Sequence, residues 1–398
     1  MIAERLPAKG GRMRVVKDDS MRIPVKLWLD DIDPGAMEQA VNLTRLPFAF
    51  HHVVILPDSH QGYGMPIGGV LATEGVVVPN AVGVDIGCGM CVARTPLAAA
   101  DLRIDTLRQI LGRIRERVPV GFDHHKERLE WAGFDDAPDV AVIQRELGPS
   151  HTQVGTLGGG NHFIEIQRGN DGHVWIMLHS GSRNFGLKIA REYHERAVRL
   201  CSRWHAGIPN RDLSFLPLDQ GGDEYWDAMK FALAFARENR ARMMGSIDAA
   251  FRSVVGTGIE GDVFDIHHNY AAMENHFGRN VVVHRKGAVR ARAGDRGIIP
   301  GSQGTTSYLV EGLGNPESFM SSSHGAGRKM GRAQAQRSLS LEEEKRKLDE
   351  RGIIHAVKSV RDLDEAAGAY KDIDTVMANQ ADLVRITERM EPLAVIKG

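Results

Sequence analysis

The 398-residue chain sets 50 basic against 51 acidic residues for a formal net charge of -1, with 42% hydrophobic and 25% charged side chains. That balance is a globular protein's, long enough for one large domain or two to three ordinary ones; it excludes a strongly basic protein, although a local basic strip can still meet a phosphate backbone. Three cysteines argue against a disulfide framework, residues 1–16 have no apolar core of signal-peptide length, and no run approaches the ~18 apolar residues of a membrane span, so a reducing, cytoplasmic setting is expected.

Residues 20–50 mix short apolar runs with acidic residues, and Pro34-Gly35 marks a turn. Residues 52–56 (H-V-V-I-L) read as a buried strand that ends in the polar run 57–62, where Asp58 is either a site residue or a turn cap. A second strand over 75–79 leads into V-G-V-D-I-G-C-G-M at 82–90. Here Asp85 stands three residues from Cys88, and the glycines clear space for both to reach one metal from a strand end or turn. Leu107, Ile110, Leu111, Ile114 and Val118 recur at helical spacing, and Pro119 stops that helix. Residues 121–150 are mixed, with His124 and His125 expected at the surface.

A triple glycine followed by Asn161-His162 reads as backbone laid against a ligand. The strand over 174–178 exits into His179-Ser180-Gly181-Ser182-Arg183, which suits a metal beside a phosphate. Tyr225, Trp226, Met229, Ala232, Leu233 and Ala236 stripe a helix over about 222–244 as core packing. In His267-His268 the rings point different ways, so at most one is a ligand. The basic strand 281–292 is expected to turn His284, Lys286, Arg290 and Arg292 to one face, either as a solvated surface or as a phosphate track. Residues 300–307 have the small residues of a phosphate nest and are not a Walker loop. His324, between three serines and G-A-G, has little bulk at its ring and can serve as a nucleophile toward phosphorus, with Arg328 and Arg332 sharing a face if a helix begins there. Ser340 and Glu343 form a capping box for a helix to about 350. Residues 363–383 look helical and carry Tyr370. The tail from 386 alternates weakly, and by position alone Lys397 is expected to fray.

Asp85, Cys88, His162, His179 and His268 exceed the ligand count of one tetrahedral ion, so two ions sharing a thiolate are expected. Zinc suits the thiolate and imidazoles, and the carboxylate admits manganese.

In chain order, G-V-D-I-G-C-G-M, G-G-G-N-H-F, H-S-G-S-R, H-H-N-Y, H-R-K-G-A, P-G-S-x-G-T and S-H-G-A-G-R resemble the motifs of the RtcB family of RNA-splicing ligases, over nearly the whole chain. The resemblance implies one catalytic domain over residues 1–398, in an α+β fold of mixed and antiparallel sheets flanked by helices around a metal and nucleotide cleft. It implies a GTP-dependent ligase with two manganese(II) ions, joining RNA 2′,3′-cyclic phosphate or 3′-phosphate ends to 5′-hydroxyl ends. By the same resemblance Asp85, Cys88, His162, His179 and His268 are metal ligands, with the cysteine shared, and His324 carries the guanylate. Asn161, Phe163, Glu165, Ser307, Gly325, Ala326, Gly327, Tyr370 and Lys397 fall at guanylate-pocket positions, which predicts an ordered chain end. Arg183, Lys286, Arg328 and Arg332 fall at RNA or phosphate positions. An activating protein partner is left open, as is a redox role for the C-x-x-C made by Cys88 and Cys91. A metal-dependent phosphodiesterase without end joining and a non-catalytic RNA binder with structural zinc are the competing classes.

Overall fold

Strict alternation along neighbouring strands divides the seven-stranded antiparallel sheet of the computed structural model, which describes residues 13–398, into two apolar faces. Its strands run in the order Glu260–His267, Gly89–Ala98, His173–Ser180, Phe163–Gly169, Val384–Lys397, Ser307–Gly312, Arg296–Ile299. Cys91, Ala93, Ile164, Ile166, Ile176, Leu178, Ala394 and Ile396 pack against helices Ile104–Arg117 and Asp223–Val255. The intervening Met90, Val92, Phe163, Met177 and Val395 face Ile298, Leu309, Leu348 and Met390. Helix Ile104–Arg117 contributes Leu107, Ile110, Leu111 and Ile114, spaced by three, one and three residues, to that core. Each such side chain stabilises the fold by roughly 1.5–3 kcal/mol.

A second sheet has six strands in the order Arg14–Val16, Val25–Leu27, Ala49–His60, Ile67–Thr73, Arg279–Lys286, Asn269–His276, and it is mixed because Val25–Leu27 runs parallel to Ala49–His60. The same period-two pattern sends Val54, Leu56, Val70 and Ala72 to one core. Val53, Ile55 and Leu71 go to another, beneath helix Pro34–Thr44. The two sheets are joined at one residue. Strand Glu260–His267 belongs to the first and Asn269–His276 to the second, leaving His268 between them. Its N–H donates to the Cys88 carbonyl (3.0 Å), and its own carbonyl accepts from Ala288 N–H (3.1 Å). This is the expected α+β fold. Among the described residues no helix is long and apolar enough to cross a membrane. The N-terminal residues 1–12 lie outside the described part.

Several local expectations are corrected. The strand expected at 52–56 runs on through Pro57 and Asp58 to His60, so Asp58 caps no turn. The 75–79 strand shrinks to Val76–Val77 and is followed by the short helix Pro79–Val82, so Asp85 and Cys88 lie in the loop that leads into strand Gly89–Ala98. The long helix reaches Val255, where Gly256 stops it in the left-handed conformation. Residues 363–383 are not one helix: 3-10 turns Val360–Glu365 and Ala367–Ala369 precede helix Ile373–Asn379, with Tyr370 extended between them. The helix near Arg328 begins at Arg332, so the two arginines share no helical face. The tail is no frayed end. Val384–Lys397 is an interior strand, paired on both sides, and Lys397 stands opposite Phe163. The Ser340 cap forms, its hydroxyl accepting from Glu343 N–H, but the box does not close, because the Glu343 side chain pairs with Lys347 (3.3 Å).

Candidate active site

Four adjacent strands of the larger sheet deliver the expected metal ligands to one edge. Gly89 pairs with Ser180 and with His267, and His179 pairs with Met90 and Phe163. Cys88, His162 and His268 each sit one residue beyond a strand end in that register, beside His179. The long helix locks these segments together through two buried polar residues that its apolar stripe does not announce. Asn239 Oδ1 accepts from Gly155 and Thr156 N–H (2.7 and 3.1 Å), and its Nδ2 donates to Ser180 Oγ (3.2 Å) and the Gly181 carbonyl (3.1 Å). Arg240, fully buried, donates to the Gly87 and Ser180 carbonyls (2.9 and 3.0 Å) and forks onto Asp265 (2.6 and 2.8 Å). His267 turns toward that arginine (3.2 Å), so of the adjacent pair His268 alone joins the ligand cluster.

The ligand atoms form two triads, Asp85-Cys88-His162 and Cys88-His179-His268, each with its atoms within 4.8 Å of one another and both including Cys88. Backbone carbonyls set two of the tautomers. Nδ1 of His162 donates to the Leu157 carbonyl (2.8 Å) and Nδ1 of His179 to the Asn161 carbonyl (3.1 Å). Both Nε2 lone pairs therefore face the Cys88 sulfur, at 3.6 and 3.1 Å. Nε2 of His179 also lies 3.0 Å from Nε2 of His268, whose buried Nδ1 has no partner. Lone pairs, a carboxylate and a thiol converge with too few protons to satisfy one another. A cation is what such a donor set accommodates, and imidazole, carboxylate and thiolate fit a divalent transition metal. Burial, then the neighbouring imidazoles, holds His179 and His268 well below the usual histidine range, in the neutral form that ligates. Burial and then the Asp85 charge push the Cys88 thiol well up, an order that a bound cation reverses by favouring thiolate. Cys91 lies on the opposite sheet face, packed in the core and likewise pushed up by burial.

His324 borders this cluster, its ring centroid 4.7 Å from that of His268. Its Nδ1 lies 2.6 Å from Asp58 Oδ2, which also accepts the His324 backbone N–H (3.1 Å). Burial alone would raise Asp58, but the His324 ring and then Lys371 hold the carboxyl below the ordinary range. Lys371 brackets it by donating to the Pro57 and Ser59 carbonyls (3.0 and 2.6 Å). Nδ1 is thereby committed, and Nε2 is the ring atom left to react. Asp58 joins the candidate site through this contact, where the sequence offered only a polar strand exit.

A cleft of about 990 Å3 opens beside His324, lined by Asn161, Phe163, Glu165, His179, His268, Gly325, Ala326, Gly327, Arg328, Arg332, Tyr370 and Lys397 among others. At its floor Glu365, which sequence reasoning missed, gathers the cations. Arg328 and Arg332 pair with it at 3.1 and 3.0 Å, Lys397 approaches to 3.8 Å, and the Tyr370 hydroxyl donates to it. Burial would raise Glu365, but Lys397, Tyr370 and the two arginines hold it down. Glu165 has fewer partners. Burial pushes it up to about 7 against the hydrogen bond from Gln167 (2.6 Å) and the charge of Lys397. The Lys397 ammonium stands 5.6 Å from the centroid of the Phe163 ring.

Of the residues expected to meet guanylate, RNA or phosphate, three lie outside the cleft wall. Ser307 is buried and accepts from Gly301 N–H and Gln167 Nε2 (both 3.1 Å), so it props the Gly301 turn and the Glu165 partner. Arg183 sits by the cluster, donating to Thr156 Oγ1 (3.0 Å) and the Gly121 carbonyl (3.4 Å). Lys286 points inward and donates to the Tyr63, Met65 and Asn80 carbonyls (2.6, 3.0 and 3.1 Å). Gly287, at φ +59°, ends that strand, and Arg290 and Arg292 turn out to pair with Asp295 and Glu274 while His284 stays buried. The common face expected for these four basic residues does not form.

An α+β fold whose sheet edge carries two candidate metal triads on one shared sulfur, next to an oriented histidine in an open cleft, defines a class of cleft-bearing protein with a candidate metal centre. The family model described as tRNA-splicing ligase RtcB matches residues 39–142 and 125–398. Similar proteins include RNA-splicing ligase RtcB1 of Escherichia coli, 39% identical over 401 residues that cover 94% of this chain and 97% of that protein. RNA-splicing ligase RtcB of Escherichia coli strain K12 is 38% identical with the same coverage. The tRNA-splicing ligase RtcB of Thermococcus kodakarensis is 33% identical over 464 residues, covering 96% of each chain. The chain belongs to the RtcB family.

Proposed function

We propose that this protein is an RNA ligase of splicing or repair that joins a 2′,3′-cyclic phosphate or 3′-phosphate end to a 5′-hydroxyl end through a guanylate carried on His324. The observation that carries this reading is the Asp58–His324 pair, which commits Nδ1 and leaves Nε2 free beside the shared-sulfur cluster. Nε2 attacks the α-phosphorus of GTP, forming an N–P bond as the bond to pyrophosphate breaks, and the charge gained by the ring is offset by Asp58. An oxygen of the RNA 3′-phosphate then attacks that phosphorus and displaces Nε2, giving an RNA-(3′)pp(5′)G end. The 5′-hydroxyl attacks the 3′-phosphorus, forms the phosphodiester and releases GMP; a cyclic end is first opened by water.

Two divalent ions, manganese(II) by the family resemblance, would be held by Asp85, Cys88 and His162 and by Cys88, His179 and His268, and would supply neutralisation of phosphate charge. In this reading Glu165 accepts from guanine N–H groups, Phe163 packs on the base, and Arg328 and Arg332 meet phosphate oxygens; their shared presence on the cleft wall supports it. The three free cysteines support a cytoplasmic setting.

The test is incubation with α-labelled GTP and manganese, wild type beside His324→Ala and Cys88→Ala, followed by RNA bearing 3′-phosphate and 5′-hydroxyl ends. Acid-labile label on wild type and not on His324→Ala, with no joining by Cys88→Ala, is expected. Label on both wild type and His324→Ala, or on neither, refutes the histidine route. Cleavage of RNA without joining would favour a phosphodiesterase instead.

A further inference from the structure

Phe122 is fully exposed, at 101% of its reference area, yet the loop that carries it is firmly held. Gly121 N–H donates to the Gly158 carbonyl (2.8 Å), Leu157 N–H to the Pro119 carbonyl (2.9 Å), and His125 N–H to the Thr152 carbonyl (2.9 Å). Arg183 donates to the Gly121 carbonyl from below. A lone exposed aromatic is ordinary on a protein surface. This one is set apart by its anchorage on the triple glycine that leads to His162.

Each of those three glycines admits a different neighbour. A Cβ at Gly158 would lie 1.7 Å from the Arg183 guanidinium, one at Gly159 3.8 Å from Gly121 Cα, and one at Gly160 3.2 Å from the Arg332 guanidinium. The phenyl ring therefore stands out from a segment flanked by two guanidinium groups, one residue from backbone that touches the metal-ligand loop. Arg183 pairs with no carboxylate among the described residues, so its charge remains available to a phosphate. The loop itself sets Asp123, Glu127 and Glu130 against Lys126 and Arg128, one negative charge in excess, and Arg332 is paired with Glu365, so attraction here has to come from the aromatic face and from Arg183.

We infer that Phe122 is a stacking platform for a base near the broken end of the 5′-hydroxyl RNA strand, whose phosphates cross Arg183. The inference rests on the ligase reading. It selects the 5′-hydroxyl strand for a geometric reason: in phosphoryl transfer the attacking and leaving oxygens lie roughly in line across phosphorus. The guanylate leaves from the cleft, and neither Phe122 nor Arg183 lines that cleft. A strand attacking opposite the guanylate comes from outside the cleft, and Phe122 and Arg183 are the aromatic and the uncompensated cation that the structure offers there.

The ring touches no protein, so Phe122→Ala should fold normally. The experiment measures GTP labelling of His324 without RNA, then the KM for each strand in joining, for wild type, Phe122→Ala and Phe122→Trp. A 2-aminopurine placed near the end of either strand reports stacking by its quenching. Labelling should be unchanged in all three proteins. In Phe122→Ala the KM for the 5′-hydroxyl strand should rise roughly tenfold, the scale of one lost base–aromatic stack, with quenching lost and Phe122→Trp restoring both. A wild-type KM in Phe122→Ala overturns the inference, as does a loss confined to the 3′-phosphate strand or a loss of labelling. A wild type that neither labels nor joins overturns the ligase reading itself.

Discussion

Replacing Asp58 by asparagine isolates charge from position at His324. The Asp58 carboxylate is fully buried, and its Oδ2 accepts both Nδ1 (2.6 Å) and the backbone N–H (3.1 Å) of His324, while Oδ1 has no partner. An asparagine can keep its oxygen at the Oδ2 position and place its NH2 where Oδ1 stood, so the ring's orientation and tautomer survive. What disappears is the negative charge facing an imidazole that becomes cationic as the N–P bond forms. With charge centres about 4 Å apart and an effective dielectric near 20, that attraction is about 4 kcal/mol. The neutral hydrogen bond that remains returns about 1 kcal/mol of it. A net loss of about 3 kcal/mol predicts a roughly hundredfold slower guanylylation. The assay is single-turnover labelling from α-labelled GTP at saturating GTP and manganese, with the urea midpoint and metal content as controls. If Asp58→Asn labels within threefold of wild type while folded and metal-loaded, Asp58 supplies no charge stabilisation and the reasoning fails.

Other outcomes follow from the same geometry. Glu165 is raised to about 7 by burial, so its neutral form is favoured by the folded state. Its contribution to stability is full below the unfolded pKa, near 4.3, and is lost as pH rises through about 7. Urea unfolding of the ligand-free protein should show that decline, and Glu165→Gln should flatten it. GTP affinity should run the other way in the wild type, rising through about pH 7 as the carboxylate ionises to accept from guanine, and calorimetric titration of Glu165→Gln should show no such rise. Lys286→Met removes an ammonium that satisfies three backbone carbonyls. It should lower stability by about 2–4 kcal/mol in urea titrations while leaving the salt dependence of RNA binding unchanged; a slope reduced by about one would instead mark Lys286 as a phosphate contact.

Much of the candidate centre was legible because chemistry and local backbone coincide there. Asp85 and Cys88 share one glycine-rich turn, His162 follows three glycines, and His179 ends a strand of five apolar residues, so motif and geometry are written within a few positions. His324 stood out for the same reason, by the small residues on either side of it. The amphipathic helix Ile104–Arg117 and the Ser340 cap were equally local, set by side-chain period and one hydroxyl.

Long-range pairing decided the rest. Asp58 meets His324 across 266 positions, and Glu365 draws in Arg328, Arg332, Tyr370 and Lys397, contacts that no spacing along the chain encodes. The tail became an interior strand because Phe163–Gly169 and Ser307–Gly312 both offered it an open edge, and their hydrogen bonds outweigh the fraying of a chain end. Lys286 turned inward, where its ammonium donates to three backbone carbonyls, and Gly287, at φ +59°, ends the strand there, so the basic residues beyond it do not share its face. Residue type and local period therefore told which groups could react and on which elements they sat. Which carboxylate faces which cation depended on sheet register and the crossing at His268, which exist only once the chain has folded.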